Sequence, residues 1–333
     1  MMALIDSFGR VITYLRVSVT DKCNMKCLYC RVGDDRLMVD NQEVLSLEEM
    51  GRLVGIFAGL GIGKIRMTGG EPLLRKNFVR LIGDLTKRPD IAEVSLSTNA
   101  ALLERFALEL KQAGLSRVNI SLDSLREDTF AHITRGGQLD VVLRGIRAAV
   151  VAGLQPVKVN MVVMRGLNDE EIPAMVDFAR NWGLVLRFIE TMPIGKAGQQ
   201  ADAHYMSAAQ ILEKVKNYVG CDCSLTAEKK MMGNGPANYF FHTQSGTTIG
   251  IIAAKSRSFC ETCNRMRLTS KGELVYCLGN TGRMDLKGPM RSGASDGELR
   301  DLIIHAVQKK PLEHMFLDEG GKNSGHAMSG LGG

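Results

Sequence analysis

Six times between residues 13 and 190 the chain runs through the same pattern: a short apolar, β-rich stretch, a polar turn, then a segment whose apolar positions recur with helical spacing. The runs are TYLRVSVT (13 to 20), KIRMTGG (64 to 70), EVSLSTN (93 to 99), RVNISLD (117 to 123), VKVNMVVM (157 to 164) and LVLRFIE (184 to 190). SLEEMGRLVGIFAGLG, from Ser46, has a 3.6-residue period, and Ser46 with Glu49 has the spacing of a capping box. Alternating strands and helices imply parallel strands joined by crossover helices, wound into a barrel or spread as an open sheet. In either architecture a ligand site lies at the carboxyl ends of the strands.

After residue 191 the pattern changes. A loop, TMPIGKAGQQADAHY, leads to the shorter strand-like pieces ANYFFH, TTIGIIAA and ELVYC and then to a helix near 296 to 309. The reading is a main domain over residues 1–200 and a smaller unit over 201–333. The tail EGGKNSGHAMSGLGG is too rich in glycine to hold regular structure alone, so it is either disordered or tucked against the rest.

With 333 residues and 45% hydrophobic content the chain supports a substantial core. Neither end reads as a secretory signal, and no apolar run approaches the roughly 20 residues needed to cross a bilayer, so a cytoplasmic protein without membrane association is expected. A net charge of +6 suits a small anionic ligand, and with only 5% aromatic residues no nucleic-acid stacking surface is expected. Eight cysteines are too few to staple a chain this long, and six of them fall into two distant clusters, which points to metal ligation.

Cys23, Cys27 and Cys30 form CxxxCxxC directly after the first strand, and TGGEP follows the second. Structural zinc wants four ligands, and the nearest histidine in sequence is His132. Three thiolates suit an iron–sulfur cubane with one iron left open, and a missing fourth cysteine implies another ligand there. In these residues the chain resembles the radical S-adenosylmethionine superfamily, in which that iron chelates the methionine group of the cofactor. The resemblance implies cofactor contacts at Tyr29, near the adenine, and at Gly70, Ser121 and Met192. Taken singly, Ser121 reads as a loop cap and Met192 as a core methionine. Gly69 and Gly70 are expected to let the backbone approach a ligand.

A second group, Cys260, Cys263 and Cys277, again has three ligands, and no second CxxC completes a zinc ribbon; Cys221 and Cys223 read as free thiols. Together with DSFGRVITYLRVSVTDKCN, LRFIETMP and the terminal double glycine, these clusters resemble the GTP 3',8-cyclase family of molybdenum cofactor biosynthesis over essentially the whole chain. This resemblance implies an incomplete (βα)6 TIM-type barrel, an α/β fold whose open side is closed by a smaller C-terminal α+β subdomain. It also implies two [4Fe-4S] clusters, S-adenosylmethionine, and GTP bound between the clusters with guanine on the second. Catalytic roles would fall to Arg16, Arg265 and Arg267, and substrate contacts to those three with Arg66, Ser97, Lys158 and Met266. A homodimer, an electron donor such as flavodoxin or ferredoxin, and a downstream cyclic pyranopterin monophosphate synthase are implied as partners.

The charges support this independently. Lys158, Arg16 and Arg66 each interrupt an otherwise apolar strand, and a cation facing a barrel interior is costly unless it meets an anion. Arg265 and Arg267 have the i, i+2 spacing that points both to one face. One departure stands out: STNA, 97 to 100, has Ala100 where the family carries glycine, which alters the loop if positive φ is required there. Rival readings are a peptide-modifying radical enzyme, a redox or zinc store, and a basic nucleic-acid-binding module.

Overall fold

A computed structural model of the chain describes residues 3–31, 43–220, 225–227, 235–243, 246–257, 259–316 and 328–331. Cys221 and Cys223 lie outside them.

The six predicted runs form β1 (Tyr14–Ser18), β2 (Lys64–Thr68), β3 (Glu93–Thr98), β4 (Arg117–Ser121), β5 (Lys158–Val162) and β6 (Val185–Ile189), paired in parallel in chain order. Helices between them cover the outer face, among them Leu47–Gly59, whose start carries the expected capping box of Ser46 and Glu49. Outward residues such as Leu15, Val17, Ile65, Val118 and Val159 are fully buried beneath those helices, while the intervening positions face inward. Inward side chains from all six strands line a single cavity, which a flat sheet does not allow.

The strands after residue 200 are β7 (Leu225–Ala227), β8 (Asn238–His242), β9 (Thr247–Ile252), β10 (Arg265–Leu268), β11 (Glu273–Val275) and β12 (Arg283–Asp285). They continue the same sheet at both edges: β9 lies parallel to β6, and β10 parallel to β1. The order β12-β11-β10-β1-β2-β3-β4-β5-β6-β9-β8-β7 leaves the barrel open, as an incomplete TIM-type barrel.

The departure at Ala100 has a definite conformation. Its φ is +62°, its side chain is fully buried, and its carbonyl occupies the space that a Cβ on Gly145 would need, 2.3 Å away. The loop therefore demands positive φ and alanine adopts it, at a cost of about 1 kcal/mol that its buried methyl roughly offsets. We expect Ala100→Gly to change unfolding free energy by less than about 1 kcal/mol; a loss above about 2 kcal/mol in denaturant titration contradicts this balance.

Candidate active site

The loop carrying Cys23, Cys27 and Cys30 is clamped by backbone hydrogen bonds. Lys26 N donates to Thr134 O (3.1 Å) and Leu28 N to Ile133 O (2.9 Å), fixing the loop to the helix Glu127–Thr134. On its other side the glycine pair holds it, for a reason other than the one expected. Gly70 N donates to Thr20 O (2.7 Å) and Glu71 N to Lys22 O (2.8 Å); a Cβ on Gly70 would lie 2.3 Å from Lys22 O, and one on Gly69 2.5 Å from Thr20 O. The close approach is between two stretches of this chain, and it sets the position of Cys23. Gly70→Ala must displace the backbone before Cys23, so we expect the variant, reconstituted with iron and sulfide, to bind less iron per chain than the wild type. A full complement of iron overturns this.

Glu71 is completely buried and anchors the same corner. It accepts from Leu73 N (3.0 Å), Thr98 Oγ1 (2.8 Å) and Asn99 N (2.8 Å), while burial pushes its pKa up to about 7. The Asn99 amide donates to Asn24 Oδ1 (2.8 Å) and towards Cys23 Sγ (3.7 Å). Burial, then Asp123 and the neighbouring Cys30 and Cys23, push the Cys27 thiol well above its ordinary value. Three thiolates here repel one another unless a strongly cationic group binds them, which a cluster of irons would supply. Among the described residues no three Cys, His, Asp or Glu are grouped to hold a single metal ion.

Above the cysteines the wall is built from strand ends. Tyr29 Oη donates to Asp123 Oδ2 (2.7 Å), and Val162 N donates to Asp123 Oδ1 (2.9 Å); burial lifts Asp123 to about 6. Ser121 ends β4 and Met192 follows β6, and both line the cavity with Tyr29 and Gly70. Glu190, fully buried, accepts from Ala208 N (2.6 Å), Lys255 N (2.7 Å) and Ser256 N (2.9 Å), tying the end of β6 to the C-terminal segment.

Deeper in, the cavity is cationic. The register aligns Arg267 on β10, Arg16 on β1 and Arg66 on β2 in one row. Like charges in register across neighbouring strands repel. Burial lowers the pKa of Arg16 well below the ordinary arginine value, and Arg267 then Arg66 lower it further; burial and Arg265 bring Arg267 down to about 10. Arg66 Nε donates to Tyr14 Oη, and its Nη1 to Leu96 O (3.2 Å). Lys158, 1% exposed, donates to Tyr239 Oη (3.0 Å); burial, then Arg187, Arg117 and Arg66, bring it to about 6. Such a group of cations is an anion site in search of several negative charges.

Ser97 lines the cavity as expected, and so do Arg265 and Arg267. Met266 does not: strand alternation turns its side chain to the opposite face, where it is completely buried in the hydrophobic core. The cavity also holds two cations that sequence reasoning missed, Arg117 and Arg187. Arg117 pairs with Glu93 (2.6 Å), and Arg187 Nε donates to Asn160 Oδ1 (2.8 Å). Arg187 interrupts an apolar strand, which was the available signal, whereas Arg117 opens its strand.

The second cysteine group sits behind this floor. Cys260 and Cys263 bracket a short turn before β10, and Cys277 follows β11. Arg10 Nη1 donates to Cys260 O (2.7 Å), and Arg265 Nη2 approaches Cys263 Sγ (3.8 Å). Burial raises the Cys263 thiol, but Arg265 and Lys310 outweigh it and bring it to about 7; at Cys277 burial prevails and raises the thiol. The tail is tucked in: Met328 and Leu331 pack with Ile194, Val275 and Phe316, and Arg267 Nη1 donates to Leu331 O (3.1 Å). The empty space of the cavity, counting space open to solvent, is about 1750 Å³.

Residues 17–179 match the Radical SAM superfamily and residues 184–316 the family Molybdenum Cofactor Synthesis C. The GTP 3',8-cyclase of Hydrogenovibrio crunogenus is 46% identical over 334 residues, covering 100% of each chain. That of Heliobacterium modesticaldum is 46% identical over 99% of this chain and 100% of its own. Among solved structures, Streptococcus suis SuiB bound to S-adenosylmethionine superposes with a TM-score of 0.62 at 14% identity, over 88% of this chain and 69% of that one. Native anSMEcpe with bound AdoMet gives 0.60 at 16% identity, over 91% and 82%. At those identities the two structures attest the fold.

Proposed function

The chain belongs to the GTP 3',8-cyclase family of the radical S-adenosylmethionine superfamily, and on that premise we propose how its own residues divide the work. It is a lyase that joins C3' of GTP to guanine C8, giving (8S)-3',8-cyclo-7,8-dihydroguanosine 5'-triphosphate in the first step of molybdenum cofactor synthesis. Its cofactors are S-adenosylmethionine and two [4Fe-4S] clusters. When bound, the first cluster and S-adenosylmethionine supply the one-electron chemistry that removes hydrogen from C3'.

In this reading Cys23, Cys27 and Cys30 hold the first cluster, within residues 1–200. Cys260, Cys263 and Cys277 hold the second, within 201–333. Tyr29, Gly70, Ser121 and Met192 surround S-adenosylmethionine. Arg66, Ser97 and Lys158 take the triphosphate, while Arg16, Arg265 and Arg267 orient the nucleotide between the clusters and exclude water. The observation that carries it is the in-register row Arg267–Arg16–Arg66, with Lys158 in the same cavity as the first cysteine loop. A homodimer, a flavodoxin or ferredoxin as electron donor, a downstream cyclic pyranopterin monophosphate synthase and a cytoplasmic setting complete the proposal. Among the described residues no helix is long and apolar enough to cross a membrane.

The test is anaerobic turnover of reconstituted protein with S-adenosylmethionine, a strong reductant and GTP deuterated at C3'. Deuterium in the 5'-deoxyadenosine formed supports the reading. Unlabelled 5'-deoxyadenosine overturns the site of abstraction.

Lys158 makes binding depend on pH. With its pKa near 6 in the free cavity, it is mostly neutral above that value, and a bound triphosphate favours the charged form. Binding therefore takes up a proton, and affinity weakens as pH rises from about 6 towards 8. Isothermal titration with GTP in two buffers at about pH 7.5 is expected to show uptake approaching one proton, lost in Lys158→Met. An enthalpy independent of buffer contradicts it.

A further inference from the structure

We infer that Asn119 accepts a hydrogen bond from the 2'-hydroxyl of the GTP ribose, and so makes the site prefer a ribonucleotide over its 2'-deoxy counterpart; this rests on the GTP reading above. Asn119 lies on β4, one inward position from Ser121 on the cofactor side and one from Arg117 on the cationic side. Each such step is about 7 Å. The register sets it between Ser97 and Lys158. It is 6% exposed and lines the cavity, and its Oδ1 is buried with no hydrogen-bond partner. The donors around it are directed elsewhere: Lys158 to Tyr239, Arg187 to Asn160, Arg117 to Glu93.

A buried amide oxygen is retained against its desolvation cost when a ligand donor meets it. Phosphate oxygens carry no such proton near neutral pH. Guanine has N–H donors, but in this reading the base lies towards Arg265 on β10, four strands along the sheet from β4. What spans the interval between a phosphate floor and the cofactor wall is the ribose, whose C3' must face the cofactor. The 2'-hydroxyl is the suitable handle, because it sits on a carbon that the reaction leaves intact. Turned over, the same amide would offer N–H to a phosphate, and the test separates these two contacts.

The full-length enzyme, reconstituted with both clusters, is assayed for cyclised product from GTP and from 2'-deoxy-GTP. Wild type is expected to favour GTP by about tenfold or more in kcat/KM, with a ratio near one in Asn119→Ala, through loss on GTP alone. Asn119→Asp keeps an acceptor and is expected to keep the preference, although a carboxylate repels phosphate. If the alanine variant does not fold, Asn119→Ser, whose shorter side chain withdraws the acceptor, reads the same ratio. A ratio unchanged in Asn119→Ala or Asn119→Ser, or a preference lost in Asn119→Asp, overturns the inference. A wild type inactive on GTP overturns the functional reading and takes the inference with it, whereas an active wild type with an unmoved ratio overturns the inference alone.

Discussion

Cys27→Ser loses S-adenosylmethionine cleavage by at least about a thousandfold, the effect expected of removing one of three cluster ligands. Cys27 is the suitable position because its backbone serves the fold separately from its thiol. The Cys27 carbonyl accepts from Cys30 N (2.9 Å) and Arg31 N (3.1 Å), and serine preserves both bonds. The turn therefore survives while the soft thiolate goes, and a serine hydroxyl does not ionise in its place. Iron analysis is expected to fall from about eight atoms per chain to about four, the second group keeping its share. Cleavage retained at the wild-type rate would sink the assignment of the first cluster.

Arg267→Ala is expected to separate the two halves of the reaction. Arg267 lies in register with Arg16 and holds the tail through Leu331 O, yet it touches none of the first three cysteines' backbone clamps. Loss of an oriented cation costs on the order of 100- to 1000-fold in the step whose charge and geometry it sets. Cyclised product should fall by that factor while 5'-deoxyadenosine continues to form. Because Arg267 is one of three like charges in a row, its removal relieves repulsion and the melting temperature should hold or rise. A parallel loss of 5'-deoxyadenosine and product, or a collapse in stability, contradicts this role.

The six strands were legible because a strand buried on both faces reads as a nearly continuous apolar run, and a lone cation inside it marks the inward face. Arg16, Arg66 and Lys158 stood out in this way. Arg187 carries the same mark, and Arg117, at the first residue of its strand, looks like an ordinary end charge. Met266 shows the reverse case: if Arg265 and Arg267 point inward, period two sends the Met266 side chain outward, which leaves only its backbone to face the cavity. Gly69 and Gly70 were recognisable as a close approach, but sequence does not say which backbone approaches. Asp123 and Glu190 went unnoticed because acids at strand ends are common turn residues. Neither could the edge positions of β9 and β10 be read, since β10 meets β1 across some 251 residues and no local pattern encodes such a partner.

That last pairing has a consequence for how the protein is made. The first cysteine loop takes backbone clamps from Ile133 and Thr134, so those clamps exist once the first part of the chain has been translated. The second cysteine group leads into β10, which lies against β1, while Arg10 from the N-terminus grips Cys260. A contact of such high order forms late in folding, and during vectorial synthesis it waits for nearly the entire polypeptide. Ribosomal emergence thus imposes a schedule on the fold: the backbone clamps of the first cysteine loop can form on a nascent chain, whereas the setting of the second cysteine group needs a nearly finished one.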